Sequence, residues 1–379
     1  MHRIALDYTP ALKQTGGIGR YARELTGALA SIDRSNAYRL FAAGSKLTEL
    51  PELPGENFSW RSTRVSSKWF ARLWRRAGIP LPIETITGPI DLYHATDFVL
   101  PPTRSGTRTL LTVHDLSFVR VPSAASPPLK AYLDAVVPPS VEATDHILAD
   151  SEATKADLTE LYDAPAKKIT VLYSGVNPRF HPVDDAESLQ RMRQKYGLAN
   201  ISYILSVGTV QPRKNYSRVV EALSALRQAG HDLHYVIAGG SGWLEDELGA
   251  TIERSGMSDY VHLLGLADDA DLPALYSGAR MLAMASLYEG FGLPVLEAMA
   301  CGTPVITSNL SSLPEVGGSA ALLVNPRDSG AIHDAILRLE TEAATRMRLI
   351  KAGYQQAARF SWERAARQLK SIYDEILDH

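Results

Sequence analysis

Short apolar runs alternate with amphipathic stretches along the whole chain, the pattern of successive βα units in parallel sheets. In the first half the runs at residues 4–6, 38–43, 92–95, 109–113, 146–149 and 169–173 predict strands. In the second half the runs at 203–207, 233–238, 261–264, 280–285, 304–307 and 321–324 do the same. Between them, Ile18, Tyr21, Ala22, Leu25, Leu29 and Ile32 recur at helical spacing after a Gly-containing loop. Further helices are predicted over 152–162, with Ser151 as N-cap, and over 217–228 and 294–300. From Ser329 onward the pattern is helical only, and its last helix, 362–377, is expected to pack back on the first domain.

Turn residues crowd at Ser174-Gly175-Val176-Asn177-Pro178 and again at Phe180-His181-Pro182, marking a hinge. This predicts an α/β protein of two doubly wound parallel-sheet domains facing across a cleft. One spans 1–180 together with a C-terminal helix at about 362–379, and the other spans 181–361. Length agrees, since 379 residues exceed one ordinary core and suit two domains of about 150–200 residues. Ligands of such sheets bind beyond the strand carboxyl ends, which singles out the loops after Asp7, Val113, Gly208 and Ala285.

Composition narrows the field. Lys plus Arg number 39 against 42 Asp plus Glu, a net charge of −3, so the chain lacks the cationic excess of a nucleic-acid binder. Cys301 is the single cysteine, which excludes an internal disulfide and fits a reducing cytoplasm. No run approaches about 18 consecutive apolar residues, so no membrane span is expected.

The strand-end loops carry the candidate chemistry. Gly208-Thr209-Val210-Gln211-Pro212-Arg213-Lys214-Asn215 places two adjacent cations ahead of a helix. The guanidinium fork and the ammonium point charge suit a diphosphate, although a solvated surface pair reads the same way. After Ala285, Glu289 falls in a loop and Glu297 in the helix that follows, with Gly290 and Gly292 between them. Glycines let backbone N–H groups approach a ligand, the helix start favours an anion, and each carboxylate can accept hydrogen bonds from sugar hydroxyls. The alternative leaves Glu297 on a helix surface and Glu289 as a partner of the helix dipole. In the first half, Gly16-Gly17-Ile18-Gly19 opens a helix without forming a full dinucleotide fingerprint. His114-Asp115 follows the strand at 109–113, where an imidazole can bond a substrate hydroxyl or carbonyl.

Together these segments resemble the retaining glycosyltransferases of family 4, which have the GT-B fold, and in particular bacterial polysaccharide mannosyltransferases. The resemblance runs through nearly the whole chain. It rests on EGFGLPVLEAMACGTPVI with its two glutamates eight positions apart, on GTVQPRKN, on the glycine-rich N-terminal loop, on Val113-His114-Asp115 and on the run from Leu313-Pro314-Glu315-Val316 to Pro326. It implies that Arg213 and Lys214 neutralise the donor diphosphate, Glu297 binds the ribose hydroxyls and Glu289 contacts the donor sugar. Backbone N–H groups of Phe291, Gly292 and Leu293 stand nearby, Gly208 belongs to the cation loop, and Gly17 approaches the phosphates from the acceptor side. His114 is implied near the donor sugar and the incoming acceptor, making His114, Arg213, Lys214 and Glu289 the catalytic set.

The family implies no cofactor and no metal, and no Asp-x-Asp motif stands beside a strand end. The implied partners are a nucleotide-sugar donor, GDP-mannose first with UDP-glucose and dTDP-rhamnose open, and a saccharide or lipid-linked saccharide acceptor; no nucleic acid is expected. A non-catalytic nucleotide-sugar binder would be expected to have lost one of Arg213, Lys214, Glu289 or His114, and all four are present. A GT-B epimerase would be expected to show a different carboxylate spacing. Residues 61–76 hold Arg61, Arg64, Lys68, Arg72, Arg75 and Arg76 without an acid, interleaved with Trp69, Phe70, Leu73 and Trp74 at helical spacing. Such a helix suits an anionic membrane surface or, alternatively, fills the core of the first domain. A cytoplasmic enzyme, peripheral on the inner face of the membrane, is the corresponding expectation.

Overall fold

The structure, a computed structural model, describes residues 1–66, 69–70, 81–242 and 245–378. Two units emerge. The first comprises Met1–Leu116, Pro128–Gly175 and Trp362–His379, and the second Ser117–Pro127 and Val176–Ser361.

Among the described residues the first unit holds one parallel sheet. Its strands are β1 (Arg3–Asp7), β2 (Ala37–Ala43), β3 (Phe58–Thr63), β4 (Leu92–Ala95), β5 (Arg108–Val113), β6 (His146–Ala149) and β7 (Ile169–Val171), in the order β3-β2-β1-β4-β5-β6-β7. The second unit repeats the plan with β8 (Tyr203–Val207), β9 (His234–Ala238), β10 (Val261–Gly265), β11 (Met281–Met284), β12 (Val305–Ser308) and β13 (Ala321–Val324), ordered β10-β9-β8-β11-β12-β13. Central strands such as β4, β11 and β12 are buried along their whole length. Helices cover both faces of such a sheet, which is why these strands do not alternate apolar and exposed polar residues.

In each sheet the strand order reverses once, between β1 and β4 in the first and between β8 and β11 in the second. Ligands of doubly wound sheets bind at that reversal, beyond the carboxyl ends. The loops that leave β8 and β11 contain Arg213, Lys214 and Glu289. Helices form where the apolar periodicity places them. Ser151 caps the Glu152–Tyr162 helix by accepting from the Thr154 N–H at 3.1 Å. The Trp362–Asp378 helix buries Trp362, Ala365, Ala366, Leu369, Ile372 and Tyr373, a single face, and lies against the Gly17–Ile32 helix within the first unit.

Three differences from the sequence reading have physical causes. The chain changes unit at Gly175/Val176 and not near 180: the Val176 N–H donates to the Phe360 carbonyl at 3.1 Å, and Phe180 sits edge-on to Tyr276, both partners within the second unit. Residues 117–127 also belong to the second unit, where the Pro122–Ala124 turn lies against Pro212–Lys214. Lastly, strand β3 occupies a stretch that includes Arg61, so the basic 61–76 segment is not one helix from its first cation. Strand β3 is an edge strand that buries only Phe58, which leaves no apolar run to read. Further along, Trp69 is 62% exposed while Phe70 is buried with its ring against Phe41. Lys68, Arg72, Leu73, Trp74, Arg75 and Arg76 lie outside the described residues. Among the described residues no helix is long and apolar enough to cross a membrane.

Candidate active site

The loop after β8 turns at Gly208, whose φ of +145° lies in the range that favours glycine. A Cβ there would stand 3.1 Å from the Lys214 Cε, so the missing side chain gives the lysine its course across the strand end. Lys214 is 8% exposed. Its Nζ donates to Glu289 Oε1 at 2.7 Å, and Arg213 Nη1 donates to Glu289 Oε2 at 2.6 Å and to the Tyr288 carbonyl at 3.0 Å. The exchange runs the other way too, since the Leu287 N–H donates to the Arg213 carbonyl at 2.7 Å. Asn215, at φ +60°, donates to the carbonyls of Ala285 and Pro326 at 2.9 and 2.6 Å. The loops after β8 and β11 therefore form one body.

Burial by itself would raise the Glu289 carboxyl, but the charges of Arg213 and Lys214 and the lysine hydrogen bond outweigh it and bring it down to about 2. Glu289 is thus ionised at neutral pH, and two basic side chains against one carboxylate give the trio a formal net positive charge in a buried loop. Such a group can receive an anion richer in charge than one carboxylate.

The chain then reaches Gly292 at φ +119°, ahead of the Leu293–Ala300 helix, whose start has no side-chain cap. A Cβ at Gly292 would meet Leu313 Cδ2 at 2.8 Å, so position and conformation both demand glycine. Two serines from the loop after β12 hold the approach to this helix. Ser311 Oγ accepts from the Glu289 N–H at 2.9 Å, and the Ser312 hydroxyl lies 2.8 and 2.7 Å from the carbonyls of Glu289 and Phe291. The Phe291 side chain is buried edge-on against Phe360, so only its backbone can serve a ligand.

Glu297 is 1% exposed and accepts from the Tyr276 hydroxyl at 2.7 Å, which removes the surface-helix reading of this residue. Tyr276→Phe takes one donor from a buried carboxylate. A loss of about 1–3 kcal/mol is expected from urea unfolding; an unshifted midpoint would show that the tyrosine does not hold Glu297.

The first unit places its candidates separately. Gly17 opens the Gly17–Ile32 helix with Gly16 as an N-cap that offers no side chain, and nothing lies within 4 Å of where a Gly17 Cβ would sit. A sixteen-residue helix with an open first turn is a favourable place for an anion. His114, at the end of β5, behaves differently from the expectation of a substrate-contacting imidazole. Its Nδ1 faces Asp150 Oδ2 at 2.8 Å and its Nε2 faces the Thr96 carbonyl at 2.8 Å, so both ring nitrogens are engaged by the protein itself.

Two family profiles divide the chain between them. Residues 15–180 match "Glycosyltransferase Family 4" and residues 190–356 match "Glycosyl transferases group 1". Over 372 residues the chain is 33% identical to O-antigen chain mannosyltransferase B of Escherichia coli, covering 94% of this chain and 95% of that one. The chain belongs to glycosyltransferase family 4. Solved structures agree in fold. Sucrose-phosphate synthase from Thermosynechococcus elongatus superposes with a TM-score of 0.78 at 22% identity over 100% of both chains. WaaG, a glycosyltransferase involved in lipopolysaccharide biosynthesis, gives 0.74 at 17% identity over 98% of this chain and 99% of its own. The two parallel sheets of this family 4 enzyme are those of the GT-B fold.

The sequence singles out Arg213, Lys214 and Glu289, which the structure brings together, but not the residues that support them. Asn215, Tyr276, Ser311 and Ser312 position the loops of the glycosyltransferase without any spacing that marks them. Asp150 carries a sequence signal: it immediately precedes the capping Ser151 at the end of β6, the same kind of strand terminus that singles out His114.

Proposed function

We propose that this glycosyltransferase transfers mannose from GDP-mannose, with retention of anomeric configuration and without a metal ion, to a saccharide or lipid-linked oligosaccharide in surface-polysaccharide synthesis. The observation that carries the reading is the buried Arg213–Lys214–Glu289 trio with its net positive charge, ahead of the uncapped Leu293–Ala300 helix start. The mannose and the polysaccharide context rest on the E. coli mannosyltransferase, which is similar over 95% of its length.

In this reading the donor diphosphate lies on Arg213 and Lys214 and on backbone N–H groups of Phe291, Gly292 and Leu293. Glu297 accepts from the ribose hydroxyls, and Glu289 uses its remaining lone pairs for the sugar. The helix start at Leu293 favours the negative charge of the phosphates. An acceptor oxygen attacks the anomeric carbon from the face that the phosphate leaves. A new C–O bond forms, the anomeric carbon–phosphate oxygen bond breaks, its electron pair goes to the diphosphate, and the acceptor proton passes to that phosphate oxygen. Arg213 and Lys214 stabilise the charge that builds there, the type of interaction that dominates many enzymic rate enhancements. With two cations and a helix terminus in that role, a divalent ion is not required.

A donor panel of GDP-mannose, UDP-glucose and dTDP-rhamnose, run with and without EDTA and with product configuration read by NMR, tests each part. GDP-mannose should be turned over best, with retained configuration and no effect of EDTA. Turnover confined to UDP-glucose or dTDP-rhamnose rejects mannose. An inverted product rejects retention, and loss of activity in EDTA rejects metal independence.

A further inference from the structure

Three successive strand ends of the first unit meet on one imidazole. Thr96 follows β4, His114 follows β5 and Asp150 follows β6. Asp150 Oδ2 lies 2.8 Å from His114 Nδ1, and the Thr96 carbonyl lies 2.8 Å from Nε2. The His114 carbonyl is taken as well, by the Thr154 hydroxyl at 3.2 Å. A neutral imidazole has one N–H and serves one acceptor. A carboxylate at one nitrogen and a carbonyl at the other call for a proton on each. The ring is 5% exposed and is walled edge-on by Tyr21 and Phe98, at centroid distances of 5.0 and 5.7 Å. Asp150 depends on the same contact, because its other oxygen, Oδ1, is buried and meets no hydrogen-bond donor among the described residues.

We propose that Asp150 is a positioning residue that holds His114 as a doubly protonated, positively charged tie between the loops after β4, β5 and β6. The side chain of His114 then serves the enzyme by fixing these three loops, and does not exchange a proton with substrate. The inference deepens the glycosyl-transfer reading above and rests on it only for the activity readout below.

The surrounding charges agree. Burial disfavours the imidazolium, but the charge of Asp150, its hydrogen bond and the charge of Asp97 outweigh that, and the group rises to about 9. Burial raises the carboxyls of Asp150 and Asp97, and Asp115, next along the chain, raises both further, while the charge of His114 pulls each back down. His94 on β4 would oppose the charge, but burial pushes it down to about 3, so it is neutral at working pH. The Tyr21 phenol on the Gly17–Ile32 helix is pushed up by burial and stays un-ionised. With its folded value raised, the His114 charge stabilises the unit fully below about pH 6.5 and loses that contribution as pH rises through about 9.

Nitrogen-15 NMR of the full-length enzyme with labelled histidine, assigned by the spectrum of His114→Gln, reads the ring directly. Both nitrogens of His114 should show imidazolium shifts that do not change between about pH 6 and 8. In Asp150→Asn the ring should titrate within that window, its pKa falling from about 9 toward the ordinary value of about 6.5. The pH profile of kcat/KM should gain an ionisation there that the parent lacks, and Asp150→Glu should restore the flat profile. A neutral His114 in the parent at pH 7 overturns the proposal. So does an Asp150→Asn protein that has a lower Tm but an unchanged histidine titration and pH profile. If Asp150→Asn does not fold, the titration of the parent decides by itself. Failure to turn over any donor would reject the assigned reaction while leaving the NMR result standing, so the two failures are distinguishable.

Discussion

Replacing Lys214 by Ala is expected to lower kcat by about 10²-fold or more, the usual loss when one preorganised charge-stabilising donor is removed from a reacting oxyanion. The structure supplies the reason for so large an effect. Lys214 is 8% exposed, its ammonium is held at 2.7 Å from Glu289, and it reaches its place over the bare backbone of Gly208. A charge fixed in a partly dehydrated loop does not reorganise as the leaving group departs, and a water molecule in its place would. Steady-state kinetics should show the loss mainly in kcat, since a contact that strengthens in the transition state affects the chemical step more than ground-state binding. A kcat near that of the parent would take Lys214 out of the chemistry.

Glu289→Gln is expected to act first on stability. It leaves Arg213 and Lys214 facing a neutral amide, and breaking a buried ion pair from one side costs about 3–5 kcal/mol. Urea unfolding at pH 7 measures this, and a loss below about 1 kcal/mol would mean that the two cations do not depend on Glu289. The pH dependence gives a second reading. Because the Glu289 carboxyl is held down to about 2, its contribution is complete above the ordinary glutamate value of about 4.3 and disappears as pH falls toward 2. The difference between parent and variant should therefore narrow steadily on acidification through that window. A gap that stays constant down to pH 2 would show that the variant acts through shape and not through charge.

Much of this architecture can be read from the chain because parallel strands covered on both faces leave unbroken apolar runs. Strand β3 escaped because it lies at the sheet edge and buries Phe58 alone. The basic stretch beginning at Arg61 misled for a related reason: aromatic residues at helical spacing further along imposed one period on residues that partly belong to a strand. At the candidate site, the motif around Glu289 and Glu297 and the Arg213-Lys214 pair stand out in the sequence. Sequence cannot tell that Glu289 closes on both cations, since they lie about 75 positions apart and meet only through the β8–β11 neighbour relation. The Tyr276–Glu297 and Asp150–His114 bonds join residues on separate elements in the same way, and no local period encodes them.

The Trp362–Asp378 helix has a consequence for how the enzyme is made. Its Tyr373 hydroxyl reaches His94 Nδ1 at 2.7 Å, a contact between residues 279 positions apart, and its Trp362 ring stands edge-on to Tyr21. On the ribosome, the opening sheet emerges long before the helix that covers it. The second unit, with its sheet contained in 203–324, has all its strands before that helix. Domains generally fold as units in the order in which they are completed. The half of the enzyme translated first is therefore the half finished last, and until residue 373 is synthesised the buried imidazole of His94 lacks one of its two partners.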